Sequence, residues 1–308
     1  MTTTVPARAD GDVRAGAAAP RPARLRALLR AAAAPWRRSA AVLRRPGLSL
    51  SVAFLAVVLV AAVAPGLLTR TDPLTGVPRQ RLQPPGAAHW FGTDQVGRDL
   101  FARVVHGAGR SLQATGIAVA VGLVAGSAIG LLAGYLGRWV DELLMRLVDV
   151  LLAVPALLLS LALVTALGFG TVKIAVAVGV GTVAAFARVM RAEVLRVRAS
   201  TYVEAARACG VRWYGVLFRH VLPNAAGPVL VLATLEFGVA VLAVSALSFL
   251  GYGAPPPQPE WGALVAEGRN YLAAAWWLTT LPGLTVAGTV LAAGRVARAL
   301  DGEWVGRR

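Results

Sequence analysis

The sequence contains very few of the residues that build metal, redox or nucleophilic sites. It has one cysteine, one lysine and three separated histidines, His89, His106 and His220. A single cysteine excludes a disulfide within the chain and a CxxC metal site, and the histidines do not form the HExxH pair of zinc hydrolases. The phosphate-binding pattern GxxxxGK[ST] and the nucleophile pattern GxSxG are also absent. We therefore expect no cofactor, no metal and no catalytic site in this chain.

Charged residues are also scarce, at 15% against 57% hydrophobic residues, and the mean hydropathy is +0.65. A soluble domain carries about 25% charged residues. Long stretches without an ionisable residue match the roughly 20 apolar residues that a membrane-spanning helix needs. They predict an all-α polytopic membrane protein with six transmembrane helices. The predicted spans are 48–68, 113–135, 147–168, 171–190, 226–249 and 275–294.

The charged residues that are present are mostly basic, and the net charge is +16. Such an excess on one surface would suit nucleic acid. If the N-terminus is cytoplasmic, however, 23 of the 31 basic residues fall on the cytoplasmic side of the six spans. This asymmetry follows the positive-inside rule for short loops. We therefore predict cytoplasmic N- and C-termini and no nucleic-acid partner.

Composition also divides the chain into segments. Residues 1–45 are rich in Arg, Ala and Pro and predict a disordered basic cytoplasmic tail that can lie on anionic lipid headgroups. The first apolar segment starts late and lacks a small-residue cleavage pattern, so we expect it to remain as an anchor. The other predicted units are an N-terminal span with an external segment (46–110), a five-helix core (111–300) and a cytoplasmic C-terminal tail (301–308).

An external segment, Arg70 to Arg110, follows the first span. Its four prolines argue against long helices in the first half. The second half carries polar residues among apolar ones at helical spacing, which predicts a short amphipathic helix at the external interface. The alternative is a polar connector that is ordered by packing against neighbouring helices. The polar residues are Thr93, Asp94, Arg98, Asp99 and Arg103.

Three local patterns predict how the spans pack. Glycines recur every four residues along the second span, which favours close helix packing within this chain or across a subunit interface. The glycines are Gly122, Gly126, Gly130 and Gly134.

Two further patterns concern the third span. Arg138 with Asp141 and Glu142 with Arg146 form helical pairs that lead into it. Pro155 interrupts the span and predicts a kink, with a binding site as the alternative.

Glu236 is the one acid well inside a predicted span. An ionisable group at membrane depth is costly and usually faces a bundle interior or an aqueous path. Glu236 is therefore a candidate for lining a translocation pathway. A hydrogen-bonded Glu that holds two helices together is the alternative.

A charged, helix-forming stretch between spans four and five, residues 200–224, interrupts the apolar chain. Thr201 and Glu204 fit a capping box that starts a helix, and Gly210 suits its end because glycine tolerates positive φ. A second short helix would follow from about Arg212, and Pro223 with Asn224 would open the fifth span. We interpret this helix-turn-helix as a cytoplasmic docking element, or alternatively as a re-entrant linker. Its first helix is predicted to expose only Ala205, Ala206, Ala208 and the turn at Gly210.

The residues of this stretch resemble the coupling loop of the integral membrane subunits of ATP-binding-cassette importers. The matching positions are Glu204-Ala205-Ala206, Gly210 and Leu222-Pro223. The strings "FGTDQVGRDLFARVVHGAGRSL" and "ALSFLGYGAPPPQPEWGALVAEGRNYL" are similar to C-type subunits of the dipeptide, oligopeptide and nickel permeases. The resemblance covers about residues 46–300.

The resemblance implies a type I importer fold and a set of partners. These are a homologous B-type permease, two cytoplasmic ATPases that dock on the coupling loop, and an external substrate-binding protein, in a bacterial inner membrane. ATP hydrolysis would belong to the ATPase subunits. The resemblance favours peptides as the substrate, with nickel complexes or other small solutes as alternatives. A secondary transporter that uses an ion gradient stays open as another class, because Glu236 and Pro155 are features that it would use.

Overall fold

The computed structural model describes residues 46–305, with side chains to residue 299. In this part of the chain the regular elements are helices, apart from one isolated bridge between Thr93 and Asp99. The helices are α1 (Pro46–Val63), α2 (Leu100–Leu136), α3 (Arg138–Ala153), α4 (Ala156–Leu167), α5 (Thr171–Arg198), α6 (Thr201–Ala208), α7 (Trp213–Phe249), α8 (Trp261–Gly268) and α9 (Trp277–Val305). The all-helical fold class is confirmed. The predicted tail of residues 1–45 lies outside the described residues.

Five of these helices, α1, α2, α5, α7 and α9, are long and apolar enough to cross a membrane. The sixth predicted span, 147–168, is a pair of shorter helices, α3 and α4, that meet at an angle of 91°. Val154 between them is extended, with φ −102° and ψ 129°. A residue before proline is disfavoured in the helical region, and Pro155 has no N–H for the helix ladder. The predicted kink is therefore present, and it divides the span into two helices.

The helices extend beyond the apolar runs that predicted them. Helix α2 begins at Leu100 instead of residue 113, and α5 continues to Arg198 instead of residue 190. Hydropathy locates only the part of a helix that is apolar enough for lipid. The helical backbone also includes flanking polar residues, up to the cap at which it ends. At the start of α2, the Asp99 carboxylate caps the helix by accepting a hydrogen bond of 2.8 Å from the Ala102 N–H.

The glycine stripe of α2 packs directly on α5. A Cβ added at Gly126 would lie 2.5 Å from the Val183 carbonyl oxygen, and one at Gly130 would overlap the Ala187 carbonyl oxygen. Similar overlaps occur at Gly122 with Thr182 and at Gly134 with Val194. The predicted role in helix packing is therefore confirmed within this chain, because the α5 backbone and side chains occupy the space that side chains on α2 would need.

We expect Gly130→Ala to destabilise the purified protein, because the added methyl group meets backbone and forces the two helices apart. Overpacking of this kind costs roughly 1–3 kcal/mol. Gly116→Ala on the same helix is the matched control, since a Cβ there meets nothing within 4 Å. The control should be neutral or slightly stabilising, because alanine favours helix over glycine. Thermal unfolding in detergent measures both, and equal midpoints would contradict the packing role.

The predicted amphipathic helix in the external segment is wrong. Residues 91–99 form turns, and the side chains of Asp94 and Arg98 point into the protein instead of lying on a membrane surface. Asp94 accepts hydrogen bonds of 2.9 Å from the backbone N–H groups of Val96 and Arg98, a turn that competes with helix. Gly97, with φ +81°, completes it. The alternative interpretation, a connector ordered by packing, is correct.

One of the two predicted ion pairs before the third span is also wrong. Glu142 and Arg146 do pair, at 2.7 Å. Asp141 does not pair with Arg138 but accepts two hydrogen bonds, of 2.5 and 2.6 Å, from the Arg191 guanidinium on α5. Arg138 follows the break at Gly137 and has φ +52°, so it lacks the helical geometry that an i,i+3 pair requires. The tertiary contact ties α3 to α5.

Candidate coupling surface

Helix α6 lies at the end of the molecule where α2 and α5 end and α7 begins. Val203 is fully buried and anchors the helix in an apolar cluster with residues of α5 and α7. The cluster partners nearest in sequence are Val197, Val216, Leu217 and Val221. A helix of eight residues is too short to be stable alone in water, so this anchoring holds it in place.

The predicted capping box at the start of α6 is wrong. The residue in the N-cap position is Ser200, one residue before Thr201, and it makes no side-chain cap. The connection between α5 and α6 has only two residues, so the Ser200 hydroxyl donates instead to the Val197 carbonyl at the end of α5, at 2.5 Å. Among the described residues the Glu204 side chain has no hydrogen-bond partner, and it is exposed. Glu204 is therefore free to meet another chain.

The predicted end of α6 at Gly210 is confirmed. Gly210 has φ +78°, its N–H donates to the Arg207 carbonyl at 2.9 Å, and the Val211 N–H donates to the Ala206 carbonyl at 3.2 Å. These two bonds form a Schellman motif. A Cβ at Gly210 would meet nothing within 4 Å, so the conformation, and not crowding, requires glycine there.

The predicted second short helix and the opening of the fifth span at Pro223 are both present, but no break separates them. Helix α7 begins at Trp213, passes through a π-helical turn, Val216–Val221, and resumes α-helical geometry at Leu222, with Pro223 in its first turn. The Leu222 N–H donates to the Leu217 carbonyl, five residues back. Pro223 has no N–H to donate, and the wide π turn accommodates it inside the helix. Leu222 is half-buried against the apolar cluster, and Pro223 is exposed.

The exposed surface of the coupling loop is broader than the sequence predicted. Ala205 and Ala208 are exposed as expected, and Ala206 is half-buried. Exposed aromatic side chains flank them: Tyr202, Trp213 and Tyr214, at 46%, 62% and 46% exposure. Trp213 and Tyr214 could have been identified from the sequence, because they form an aromatic pair shortly after the turn at Gly210. Exposed aromatic side chains are typical of a surface that another protein covers.

Three polar contacts that the sequence did not predict join the helix ends around α6, and one of them involves α6 itself. The Tyr135 hydroxyl at the end of α2 donates to the Trp213 carbonyl at 2.8 Å. The Arg198 guanidinium at the end of α5 donates to the Tyr135 carbonyl at 2.8 Å. The Arg207 guanidinium of α6 lies over the Tyr135 ring, 5.8 Å from its centre. Helix α6 therefore contacts α2 through Arg207 and Tyr135, and α5 and α7 through the apolar cluster around Val203.

Glu236 is not part of this surface. It lies on α7 about 20 Å beyond Val221 at the usual helical rise. The side chain is half-buried and forms no hydrogen bond or ion pair within the part of the chain that the structure describes. The alternative, in which Glu236 is hydrogen-bonded to a neighbouring helix, is therefore not supported by any contact among these residues.

A buried network of charged residues lies at the opposite end of the molecule, and the sequence analysis missed it as a unit. The Arg103 guanidinium is 1% exposed and donates to Asp94 and to Glu267 of α8, both at 2.7 Å. Arg98 donates to Asp94 at 2.6 Å and lies 3.6 Å from Glu267. We call these four residues the four-charge network. It ties the external segment and α2 to α8.

Residues 126–303 match the family described as binding-protein-dependent transport system inner membrane component. A dipeptide transport system permease protein, DppC, of Alkalihalophilus pseudofirmus is 40% identical over 84% of this chain and 86% of its own length. A glutathione transport system permease protein, GsiD, of Pectobacterium atrosepticum is 41% identical over 68% of this chain and 69% of its own.

Solved structures show the same fold. A chain of an amino acid ABC transporter aligns with a TM-score of 0.51 at 16% identity, over 66% of this chain and 95% of its own. A chain of the inward-facing MetNI methionine ABC transporter also aligns with a TM-score of 0.51, at 20% identity, over 65% and 97%. These structures show the fold, while the family match and the two relatives show that the chain belongs to the multi-pass inner membrane permease components of binding-protein-dependent transport systems.

Proposed function

We propose that this permease forms half of a translocation path for short peptides and that α6 couples the path to cytoplasmic ATPases. The names of the relatives, which include dipeptide and glutathione permeases, support peptides as the substrate class. The observation that carries the coupling role is a short exposed helix, α6, whose Val203 packs with residues of α5 and α7 and whose Arg207 lies over Tyr135 of α2.

In this proposal each residue of the coupling loop has a mechanical role. Ala205 and Ala206 allow close approach of the ATPase, and Glu204 offers it an unpaired carboxylate. Gly210 makes the turn, while Leu222 and Pro223 return the chain into α7. When the ATPases close on ATP, α6 moves with them, and the contacts of Val203 and Tyr135 rotate the helices around the path.

The proposal includes partners, because one such chain supplies only half of the path. They are a homologous B-type permease, two ATP-binding-cassette subunits and an external substrate-binding protein. This chain performs no ATP chemistry itself, since its sequence has no phosphate loop. Among the described residues, no group of three or more metal-ligating side chains is present.

We further propose that both termini are cytoplasmic, which places α6 inside the cell and the external segment outside. The distribution of arginines supports this orientation. Cys209 is exposed beside Gly210 and offers a direct check. A membrane-impermeant thiol reagent should label Cys209 in inside-out vesicles but not in right-side-out vesicles.

Glu236 is proposed to line the path, because a half-buried carboxylate without a partner needs water at membrane depth. In a Cys209→Ser background, Glu236→Cys should react with a water-soluble thiol reagent. Leu235→Cys, at the neighbouring position on α7 whose side chain is 38% exposed, is the comparison variant. If both cysteines were equally protected from the reagent, Glu236 would not line the path.

The proposed function is tested by measuring which energy source, ATP or the proton gradient, drives peptide uptake. We expect cells or vesicles that contain the complete importer to accumulate a labelled dipeptide when ATP is present, and to continue after the proton gradient is collapsed. Depleting ATP should stop uptake. The purified chain alone should show no saturable ATP binding. Uptake that follows the proton gradient instead of ATP would support a secondary transporter.

A further inference from the structure

A cavity of about 420 Å³ opens at the external end of the molecule, and neither the fold nor the coupling role explains it. Its walls come from the end of α1 at Ala62, from Leu74 of the external segment, from α2 and from the loop before α8. The polar side chains of the cavity are His106, Arg110, Gln113 and Gln258. Four separate parts of the chain therefore form the walls, and two of them, α2 and the loop before α8, supply the polar groups.

The donors around this cavity are unused. Arg110 is half-buried, yet within residues 46–299 no carboxylate pairs with it and no hydrogen bond engages it. The amides of Gln113 and Gln258 likewise have no partner in that range. The His106 Nδ1–H donates to the Ala102 carbonyl at 2.9 Å, so its Nε2 remains available. A half-buried guanidinium with unused donors at an open cavity is well placed to bind an anionic group.

The nearby acid of the external segment does not fill this role. Asp72 accepts a hydrogen bond of 2.5 Å from the Thr75 hydroxyl and one of 3.0 Å from the Leu74 N–H. The Thr75 hydrogen bond, followed by that of Leu74, lowers the pKa of Asp72 and keeps it ionised within its own turn. A planar guanidinium with amide donors beside it best fits a carboxylate, which accepts two parallel hydrogen bonds.

The surroundings of the cavity indicate a protein as the source of that carboxylate. The external segment exposes Arg70, Arg79 and Arg81, whereas Asp72 is its one fully exposed acid among the described residues. The other acids of this end are buried or largely covered: Asp94, Asp99, Glu260 and Glu267. Exposed Leu74 forms part of the cavity wall. A basic surface with an apolar rim around a half-buried guanidinium fits a partner with an acidic face.

We propose that the cavity is an anchor site for an Asp or Glu side chain of the substrate-binding protein. The inference rests on the proposed function and orientation, and it assigns the chemistry of docking. The carboxylate enters the cavity and pairs with Arg110, while the amides of Gln113 and Gln258 donate to its remaining lone pairs. The exposed arginines of the external segment attract the acidic face of the binding protein and speed its encounter.

The test measures docking of the cognate binding protein on the complete importer in lipid nanodiscs. Arg110→Gln should weaken docking about ten-fold or more, mainly by faster dissociation, because it removes a desolvated charge pair. Arg79→Gln should change the affinity less and should act mainly on the association rate and its salt dependence. Lys173→Gln, an equal charge change at an exposed residue outside the external segment, is the control and should change docking less than two-fold.

A charge exchange makes the test specific for a carboxylate. Arg110→Glu should abolish docking, and one Asp→Arg or Glu→Arg variant of the binding protein should restore it. ATP hydrolysis in the absence of binding protein should be the same for all permease variants. These results together would establish the anchor site.

Other outcomes overturn the inference. If Arg110→Gln docks like the wild type, the cavity holds no anchor, although the proposed function stands. If dialanine, but not its amide, competes for the cavity, the site takes the solute instead. If the effect disappears in nanodiscs without anionic lipid, the anion is a headgroup. If the binding protein does not dock on the wild type at all, the proposed function fails with the inference.

Discussion

Ala205→Asp should abolish peptide uptake while leaving the permease in the membrane at close to normal levels. Ala205 is exposed on α6, at the centre of the proposed contact with the ATPase. A charge placed there is buried without a partner when the ATPase docks, which costs several kcal/mol. Because α6 lies outside the spans, membrane insertion and pairing with the second permease should be retained.

The measurement is retention of the ATPase subunits during purification in detergent, together with dipeptide uptake. In the Ala205→Asp variant, ATPase retention and dipeptide uptake should each fall about ten-fold or more. Ala208→Ser is the matched control on the same helix, because it adds one hydroxyl group and no charge. Normal retention and uptake in Ala205→Asp would mean that the loop only connects two spans.

Gly210 provides an independent check of the same surface through backbone conformation. Gly210→Val should misplace α6, because a β-branched residue is strongly disfavoured at φ +78°. Gly210→Asn should retain more coupling, since asparagine tolerates the left-handed region. A Cβ meets nothing at this position, so a difference between Val and Asn reports on the turn and not on crowding.

Arg103→Met should reduce stability more than any other single change considered. Arg103 is buried in the four-charge network, and its removal leaves Asp94 and Glu267 with Arg98 as their remaining cation. Breaking a buried pair by removing one partner costs about 3–5 kcal/mol. We expect a large fall in the thermal unfolding midpoint, or loss of the protein from the membrane.

The control for Arg103→Met is Arg146→Met, which removes an ion pair to Glu142 whose side chains are 76% and 65% exposed. Exposed pairs contribute at most about 1 kcal/mol. If Arg103→Met fails to accumulate, Arg98→Met supplies a milder second variant, with an intermediate loss of stability expected. Similar midpoints for Arg103→Met and Arg146→Met would show that the network contributes little.

Patterns that depend on neighbours along the chain were predicted well. The apolar runs located the spans, because lipid selects residues by composition over a length set by the bilayer. The glycine stripe predicted close packing, and Gly210 predicted the end of α6, because both properties belong to a residue without a side chain. Glu204, Ala205, Ala206 and the other coupling residues stay predictions as a functional site.

Patterns that depend on competition between partners were predicted poorly. Thr201 and Glu204 have the spacing of a capping box, but Ser200 occupies the cap position. Asp141 has Arg138 three residues away and yet pairs with Arg191, which is fifty residues along the chain. A side chain takes the partner that the fold brings closest, and a local spacing rule cannot rank partners that are distant in sequence.

By itself, the sequence determined that this protein is a helical membrane protein, since composition carries that information, and its resemblance to a known family identified it as a permease. Only the tertiary structure decided which charges are paired and which are free. Arg103 and Glu267 are 164 residues apart and form a buried pair, whereas Arg110, two helical turns further along the same face of α2, lines an open cavity. Both are arginines among apolar residues of α2, and the carboxylates that the external segment and α8 bring to Arg103 make it structural, while Arg110 stays available to a partner.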